Sequence, residues 1–121
     1  MIKLVFVLRR RPELSRDEFQ AYWREKHAPL VASHGAALGL KRYVQTHTLE
    51  SPLNDLLQAS RGGPAEYDGV AELWWESAEA FGAAAASPEG MQAAAELLED
   101  EAKFIDLANS PLWLAEEHQI V

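Results

Sequence analysis

Three segments of this sequence read as β-strands with large apolar side chains on both faces, and a sheet of that kind must be covered on two sides. Ile2 to Arg9 is rich in Val, Ile, Leu and Phe and is closed by Arg9-Arg10-Arg11-Pro12, so its length and β-branching favour a strand over a helix. Leu40 to Leu49 places Tyr43, Gln45 and His47 on one face and Arg42, Val44 and Thr46 on the other. Tyr67 to Trp75 sets Gly69, Ala71, Leu73 and Trp75 against Asp68, Val70, Glu72 and Trp74. Helices can cover one face; a second copy of the chain, docked sheet to sheet, would cover the other. The tail from Leu112 to Ile120 supplies a fourth strand, and Pro111 with the Glu116-Glu117-His118 run suits it to an edge or an exit.

The intervening segments supply the helices. Ser15-Arg16-Asp17-Glu18 has the form of a capping box, which starts a helix near Arg16. Phe19, Trp23, His27, Leu30 and His34 then recur at steps of three and four, with Tyr22 and Val31 at the edges of that inward stripe. Pro29 lacks the amide that would bond Glu25, so the helix should kink or break around His27 to Pro29, and Gly35 and Gly39 should end it. Glu50 to Glu66, with Pro52, Gly62, Gly63 and Pro64, reads as a long loop with at most one helical turn at Leu53 to Ala59, placed to border a pocket. Ser77 caps an alanine-rich helix to about Ala86, and Pro88 opens another to about Lys103. The order is β-α-β-β-α-β: an α+β, ferredoxin-like split βαβ with a four-stranded antiparallel sheet, in one domain spanning residues 1–121.

Composition removes several classes of function. The chain has 11 basic and 19 acidic residues among 121, a formal charge of −8, which disfavours binding to nucleic acid or to anionic membranes. With no cysteine there is no disulfide, thiolate catalysis or Cys-based metal site. His27 and His34 lie two helical turns apart, too far for easy ligation of one metal, and no HExxH is present. No glycine-rich phosphate loop offers a cradle for a nucleotide, so the expectation is a site without cofactor or metal. Met1 to Leu8 is too short to span a bilayer and runs into three arginines without a cleavage site, which suggests a cytoplasmic protein.

His27 is the first candidate for chemistry, because an imidazole on an inward stripe beside a proline break can exchange protons in a pocket near neutral pH. The alternative is a core histidine bonded to the Glu25 carbonyl or to a strand side chain. Tyr43 and His47 share a strand face and are its natural partners if that face meets the helices; if it faces a second subunit, they are interface residues. Phe6, Tyr22, Trp23, Val31 and Trp75 would line such a pocket, and Trp74 adds to the aromatic wall, although aromatic residues at these spacings also build plain cores. Asp68 and Glu72 point the same way on a strand; they form either an acid–base pair or, with Arg42 pairing Glu72, a register device. His118 is either an exposed tail residue or a lid.

The run Phe19-Gln20-Ala21-Tyr22-Trp23 followed by Lys26-His27-Ala28-Pro29-Leu30-Val31 resembles the signature of EthD-domain proteins. Arg42 to His47, Tyr67 to Trp74 and Glu116-Glu117-His118 resemble the same family in the same order, so the likeness spans nearly the whole chain. It implies a dimeric α+β barrel, a homodimer through the sheet faces, with a cavity between sheet and helices in each subunit. Reactions in this family and related barrels are diverse. They include ether degradation alongside a cytochrome monooxygenase, decarboxylation and dehydration of polyketides, cyclisation, anthrone oxygenation, lactone isomerisation and haem degradation. The reading that joins family and residues is a cofactor-independent enzyme of lyase, isomerase, cyclase or oxygenase type acting on an aromatic or polyketide-like small molecule. In it His27 is the acid or base, and Tyr43 and His47 orient the substrate. Two others stand beside it: a haem-dependent monooxygenase with His27 as axial ligand, and a non-catalytic dimeric binding or accessory protein of an oxidative degradation pathway.

Overall fold

The computed structural model of the protein describes residues 1–121. Strands β1 (Ile2–Leu8), β2 (Arg42–His47), β3 (Gly69–Trp75) and β4 (Leu112–Ala115) form one antiparallel sheet in the order β2-β3-β1-β4. The register places Phe6 opposite both Ala71 and Leu112, with Gln45 beyond Ala71, and places Leu4 opposite Leu73, with Tyr43 beyond. One face therefore carries Leu4, Phe6, Leu8, Tyr43, Gln45, His47, Ala71, Leu73, Trp75 and Leu112. Phe6, Leu8 and Ala71 pack there with Phe19, Trp23, Phe104 and Ile105 to form the core.

On the helical side the capping box is present: Glu18 N donates to Ser15 Oγ while Ser15 N donates to Glu18 Oε1. Helix α1 (Arg16–Tyr22) passes without a stop into a single π-helical turn, Trp23–His27, and then into α2 (Ala28–Ser33) and α3 (Gly35–Leu38). The cause is Pro29. It cannot donate to Glu25, and the ladder widens by one residue, with the Ala28 amide bonding the Trp23 carbonyl. Gly39, at φ 69°, ends α3, whereas Gly35 begins it.

Trp23 is 1% exposed and lies against Gly69, where a β-carbon would sit 2.5 Å from the indole and 2.8 Å from the Thr46 carbonyl. Glycine at the start of β3 is thus what lets the first helical layer settle onto the sheet. Beside it, on the same face of the sheet, lie α5 (Ala78–Ala86) and α6 (Pro88–Glu101), each capped by a serine.

The expected long loop is in fact a ten-residue helix, α4 (Pro52–Arg61). Its breakers are terminal signals. Ser51 accepts from the Leu53 amide, Pro52 sits in the first turn, and Gly62 at φ 62° closes the end. The fourth strand is shorter than expected and ends at Ala115, after which Glu117 accepts from Trp74 Nε1 at 2.7 Å.

The other sheet face holds Val5, Val7, Val44 and Val70, all half-buried, and Trp113, 48% exposed. Here the charges differ from expectation. Glu72 pairs with Lys3, because Lys3 and Glu72 are diagonal neighbours across β1 and β3, while Arg42 is opposite Trp74 and stacks on its ring at 4.5 Å. Asp68 precedes the strand and does not pair with Glu72. It is 2% exposed, and it accepts from the Arg10 amide (2.8 Å), Arg10 Nη1 (2.5 Å) and Arg16 Nε (2.9 Å).

Burial opposes ionisation of Asp68, but the Arg10 amide and the two guanidiniums outweigh it and hold its pKa below the usual value. A lowered pKa makes its contribution present above about pH 3.8 and lost as pH falls through the folded value. Asp68→Asn should cost about 2–4 kcal/mol at pH 7 by chemical denaturation. It should also flatten the acid limb of stability below pH 4; an unchanged limb would show that the cluster does not tie α1 to the strands.

Candidate functional site

Between the sheet and the helices lies a cavity of about 210 Å³ with almost wholly apolar walls. Phe6, Leu73 and Trp75 line it from the sheet, Trp23 and Val31 from the first helical layer, and Leu97 and Ile105 from α6 and the segment after it. Leu98 and Leu112 also line it and are 55% and 54% exposed, which places its mouth between α6 and β4. Three lining side chains can give or take a proton: His27, Tyr43 and Glu101.

His27 ends the π turn and is 5% exposed. Its Nδ1 lies 2.7 Å from Asp100 Oδ2, and the Tyr22 hydroxyl donates to Asp100 Oδ1 at 2.6 Å. Burial works against the charge on Asp100, yet the bonds from Tyr22 and His27 outweigh it and hold the carboxyl below its ordinary pKa. Lys103 Nζ, 3.6 Å from Oδ1, adds a compensating charge. An ionised carboxylate only accepts, so the proton in the 2.7 Å contact belongs to Nδ1. Burial also pulls the His27 pKa below its ordinary value, with the bond and charge of Asp100 opposing, which favours the neutral ring. Its Nε2 therefore keeps a free lone pair at the cavity wall. Tyr22 is pushed up to about 12, first by its bond to Asp100 and then by burial, and remains a donor.

Tyr43 faces the helices and reaches the cavity. Gln45 Nε2 donates to its hydroxyl at 2.7 Å and to the Trp23 carbonyl in the π turn at 3.0 Å. His47 Nε2 lies 2.7 Å from Gln45 Oε1 and, because the amide oxygen only accepts, carries the proton there. The chain His47–Gln45–Tyr43 thus fixes the phenol oxygen as acceptor from Gln45 and leaves its own O–H free to donate. Burial raises the Tyr43 pKa, so the group acts as a donor and not as a phenolate.

Glu101 ends α6 and projects into the cavity with no hydrogen-bond donor of the protein on its carboxyl. Its Oε2 is 4.0 Å from His27 Nε2. Burial, and secondarily the charge of Asp100, push its pKa up to about 7.

Of the residues expected at a site, His27, Tyr43, Phe6, Trp23, Val31 and Trp75 line this cavity. Tyr22 stands behind Asp100, and His47 is screened by Trp23, whose ring stacks on the imidazole at 4.4 Å. His34 lies 2.6 Å from Glu96 of α6 and does not line the cavity, and His118 is in the exposed tail and does not line it either. His27 is bonded neither to the Glu25 carbonyl nor to a strand, but to α6. Asp100 and Glu101 were not foreseen. The signal for them was the inward spacing Ala93, Leu97, Asp100, which the acidic run Glu99-Asp100-Glu101 obscured. An engineered cavity of about 150 Å³ holds benzene, so 210 Å³ with Glu101 beside His27 does not admit a haem on that histidine.

Comparison with known proteins places this geometry in context. An ethyl tert-butyl ether D (EthD) family protein from Bacillus halodurans superposes with a TM-score of 0.65 at 23% identity, over 98% of this chain and 99% of that one. SnoaB, a cofactor-independent oxygenase from Streptomyces nogalater, superposes with a TM-score of 0.57 at 16% identity, over 99% and 95%. A dimeric ferredoxin-like protein of unknown function from Thermobifida fusca gives 0.57 at 16%, over 94% and 88%. At such identities these likenesses speak for the fold alone. No curated protein sequence matches the chain. No helix is long and apolar enough to cross a membrane. The EthD domain family model matches residues 11–108, most of the chain, including the π turn, Asp100 and Glu101, and the protein belongs to the EthD domain family.

Proposed function

We propose that this protein is a cofactor-independent acid–base enzyme that takes a proton from an apolar, ring-bearing small molecule, with His27 as the base. The observation that carries the reading is the His27 ring held through Nδ1 by buried Asp100, so that Nε2 faces an apolar cavity. Tyr43 supplies a hydroxyl to orient a substrate oxygen, and Gln45 and His47 position it from behind. The volume suits one or two rings more than a fused tricycle. Proton abstraction is a shared opening step of isomerisation, cyclisation, elimination and oxygenation of an activated ring. That a relative by fold is named a cofactor-independent oxygenase agrees with a site made of side chains alone.

The test needs no knowledge of the full reaction. Enzyme in D2O is incubated with a panel of small phenols and aryl ketones, and exchange at their acidic carbon positions is followed by NMR. Wild type should accelerate exchange for at least one compound. His27→Gln and His27→Ala should lose roughly 10²–10⁴-fold and Asp100→Asn on the order of 10²-fold, measured where circular dichroism shows each variant folded, although loss of the buried bond lowers its melting temperature. Tight binding without exchange, equal in wild type and variants, would instead make the protein a carrier or accessory factor.

We further propose that the uncovered sheet face pairs with the same face of a second copy. Half-buried Val5, Val7, Val44 and Val70 and the exposed Trp113 ring support this, as does the dimeric state named for the Thermobifida relative. By sedimentation equilibrium the wild type should be a dimer at micromolar concentration and Val70→Arg a folded monomer. A monomeric wild type would overturn the pairing.

A further inference from the structure

A base alone leaves negative charge on the substrate, and this cavity has little to receive it. No Lys or Arg lines it, and its walls are hydrocarbon apart from His27, Tyr43 and Glu101. An anionic substrate would enter uncompensated, beside a carboxyl and close to Asp100. What the cavity does offer is a second proton. Glu101 has no hydrogen-bond donor from the protein, its side chain is 19% exposed, and its Oε2 is too far from His27 Nε2, at 4.0 Å, for a direct bond. The two heteroatoms stand apart on one side of the cavity, with room for a substrate group to meet both.

We infer that Glu101 is a second catalytic residue, which hands its carboxyl proton to a substrate oxygen while His27 removes a proton from the adjacent carbon, and that the substrate is an uncharged, enolisable carbonyl compound. The inference rests on the base assigned to His27 above.

The step balances within the site. The C–H bond breaks and its proton goes to Nε2. The electron pair it leaves becomes the carbon–carbon double bond of the enol. The carbonyl π pair forms the new O–H bond with the proton from Glu101. The enzyme is left with an imidazolium stabilised by Asp100 and a carboxylate on Glu101, 4.0 Å apart. When the enol leaves, water entering the open cavity takes the proton from Nε2 and gives one to Oε2, and both groups are reset. No oxidant, metal or cofactor enters. Run in reverse, the same steps convert an enol or a phenol tautomer to the ketone.

The groups that bear on Glu101 are few and lie on three elements. Asp100, next to it on α6, raises its pKa, and Lys103 and Tyr22 partly satisfy Asp100. His27 faces it from the π turn, and Tyr43 faces it from β2 as a neutral donor. Burial lowers the pKa of His27 and raises that of Glu101 to about 7, and both shifts favour the productive pair of a neutral base and a protonated acid. The rate should rise with pH through the His27 titration and fall as Glu101 ionises.

The experiment is deuterium exchange of phenylacetone and 2-tetralone, both neutral and enolisable, across pH 5 to 9. Wild type, Glu101→Gln and His27→Gln are compared, with a carboxylated analogue of each ketone as the charged counterpart. Wild type should give a bell and should ignore the charged analogues. Glu101→Gln should be at least tenfold slower at pH 6.5 and should lose the alkaline fall. It should also melt higher than wild type at pH 8 and equally at pH 4.5, since a raised carboxyl pKa removes stability as pH climbs from 4.5 through 7. If Glu101→Gln exchanges as fast as wild type and keeps the alkaline fall while His27→Gln is dead, the acid role is wrong and the base stands. Preference for the charged analogues would overturn the substrate class. No exchange of any ketone by wild type overturns this proposal, and the His27 reading falls with it only if the wider phenol panel is also silent.

Discussion

The bond between His27 and Asp100 joins the π turn to α6 where the two pack side by side over the sheet, and the rest of the site follows from it. One partner comes from a π turn forced by Pro29, the other from the end of α6, 73 positions away in sequence. Neither would be buried alone without a large desolvation cost, and Tyr22 and Lys103 complete the set on the carboxylate. Because Asp100 can only accept, the bond chooses the tautomer of His27 and turns its basic nitrogen to the cavity. Structural and chemical roles are therefore inseparable at this pair: the bond that closes the fold also directs the base.

The sheet prepares the opposite wall by close approach. Gly69 lets Trp23 lie flat on β3, Trp23 covers His47, and His47 sets the Gln45 amide that holds Tyr43. That order explains why two aromatic polar residues on the same strand face have different access. Tyr43 reaches the cavity, while His47 sits one layer behind it. The same indole whose ring packs the core presents its backbone carbonyl to Gln45, so the π turn is tied to the strand as well as to α6.

Much of this was legible in the sequence, and the reasons are physical. Strand alternation, serine caps and the helical stripe through Phe19, Trp23 and His27 are local patterns, and each produced its element where expected. Pro29 marks the break in the sequence, and the packed fold gives that break the form of a π turn. Pro52 and Gly62 misled, because the same residues that punctuate loops also start and stop helices. The pairing of Glu72 with Arg42, one of the two roles its position suggests, does not form: the register of β1 against β3 brings Lys3 to it instead, and that register is not encoded locally. Asp100 and Glu101 were hidden for a related reason: in an acidic helix end, burial of a carboxylate is decided by what packs against it. Only the tertiary fold, by bringing His27 there, separates these two from Glu99.

Everything proposed for the cavity depends on buried Asp100 fixing the proton of His27 on Nδ1. Long-range ¹H–¹⁵N correlation of histidine-labelled protein reads this directly at pH 7. The expected result is a neutral His27 ring with a protonated, strongly hydrogen-bonded Nδ1 and an unprotonated Nε2, and loss of that pattern in Asp100→Asn. An imidazolium, or a neutral ring protonated on Nε2, would contradict it, since no lone pair would then face the cavity.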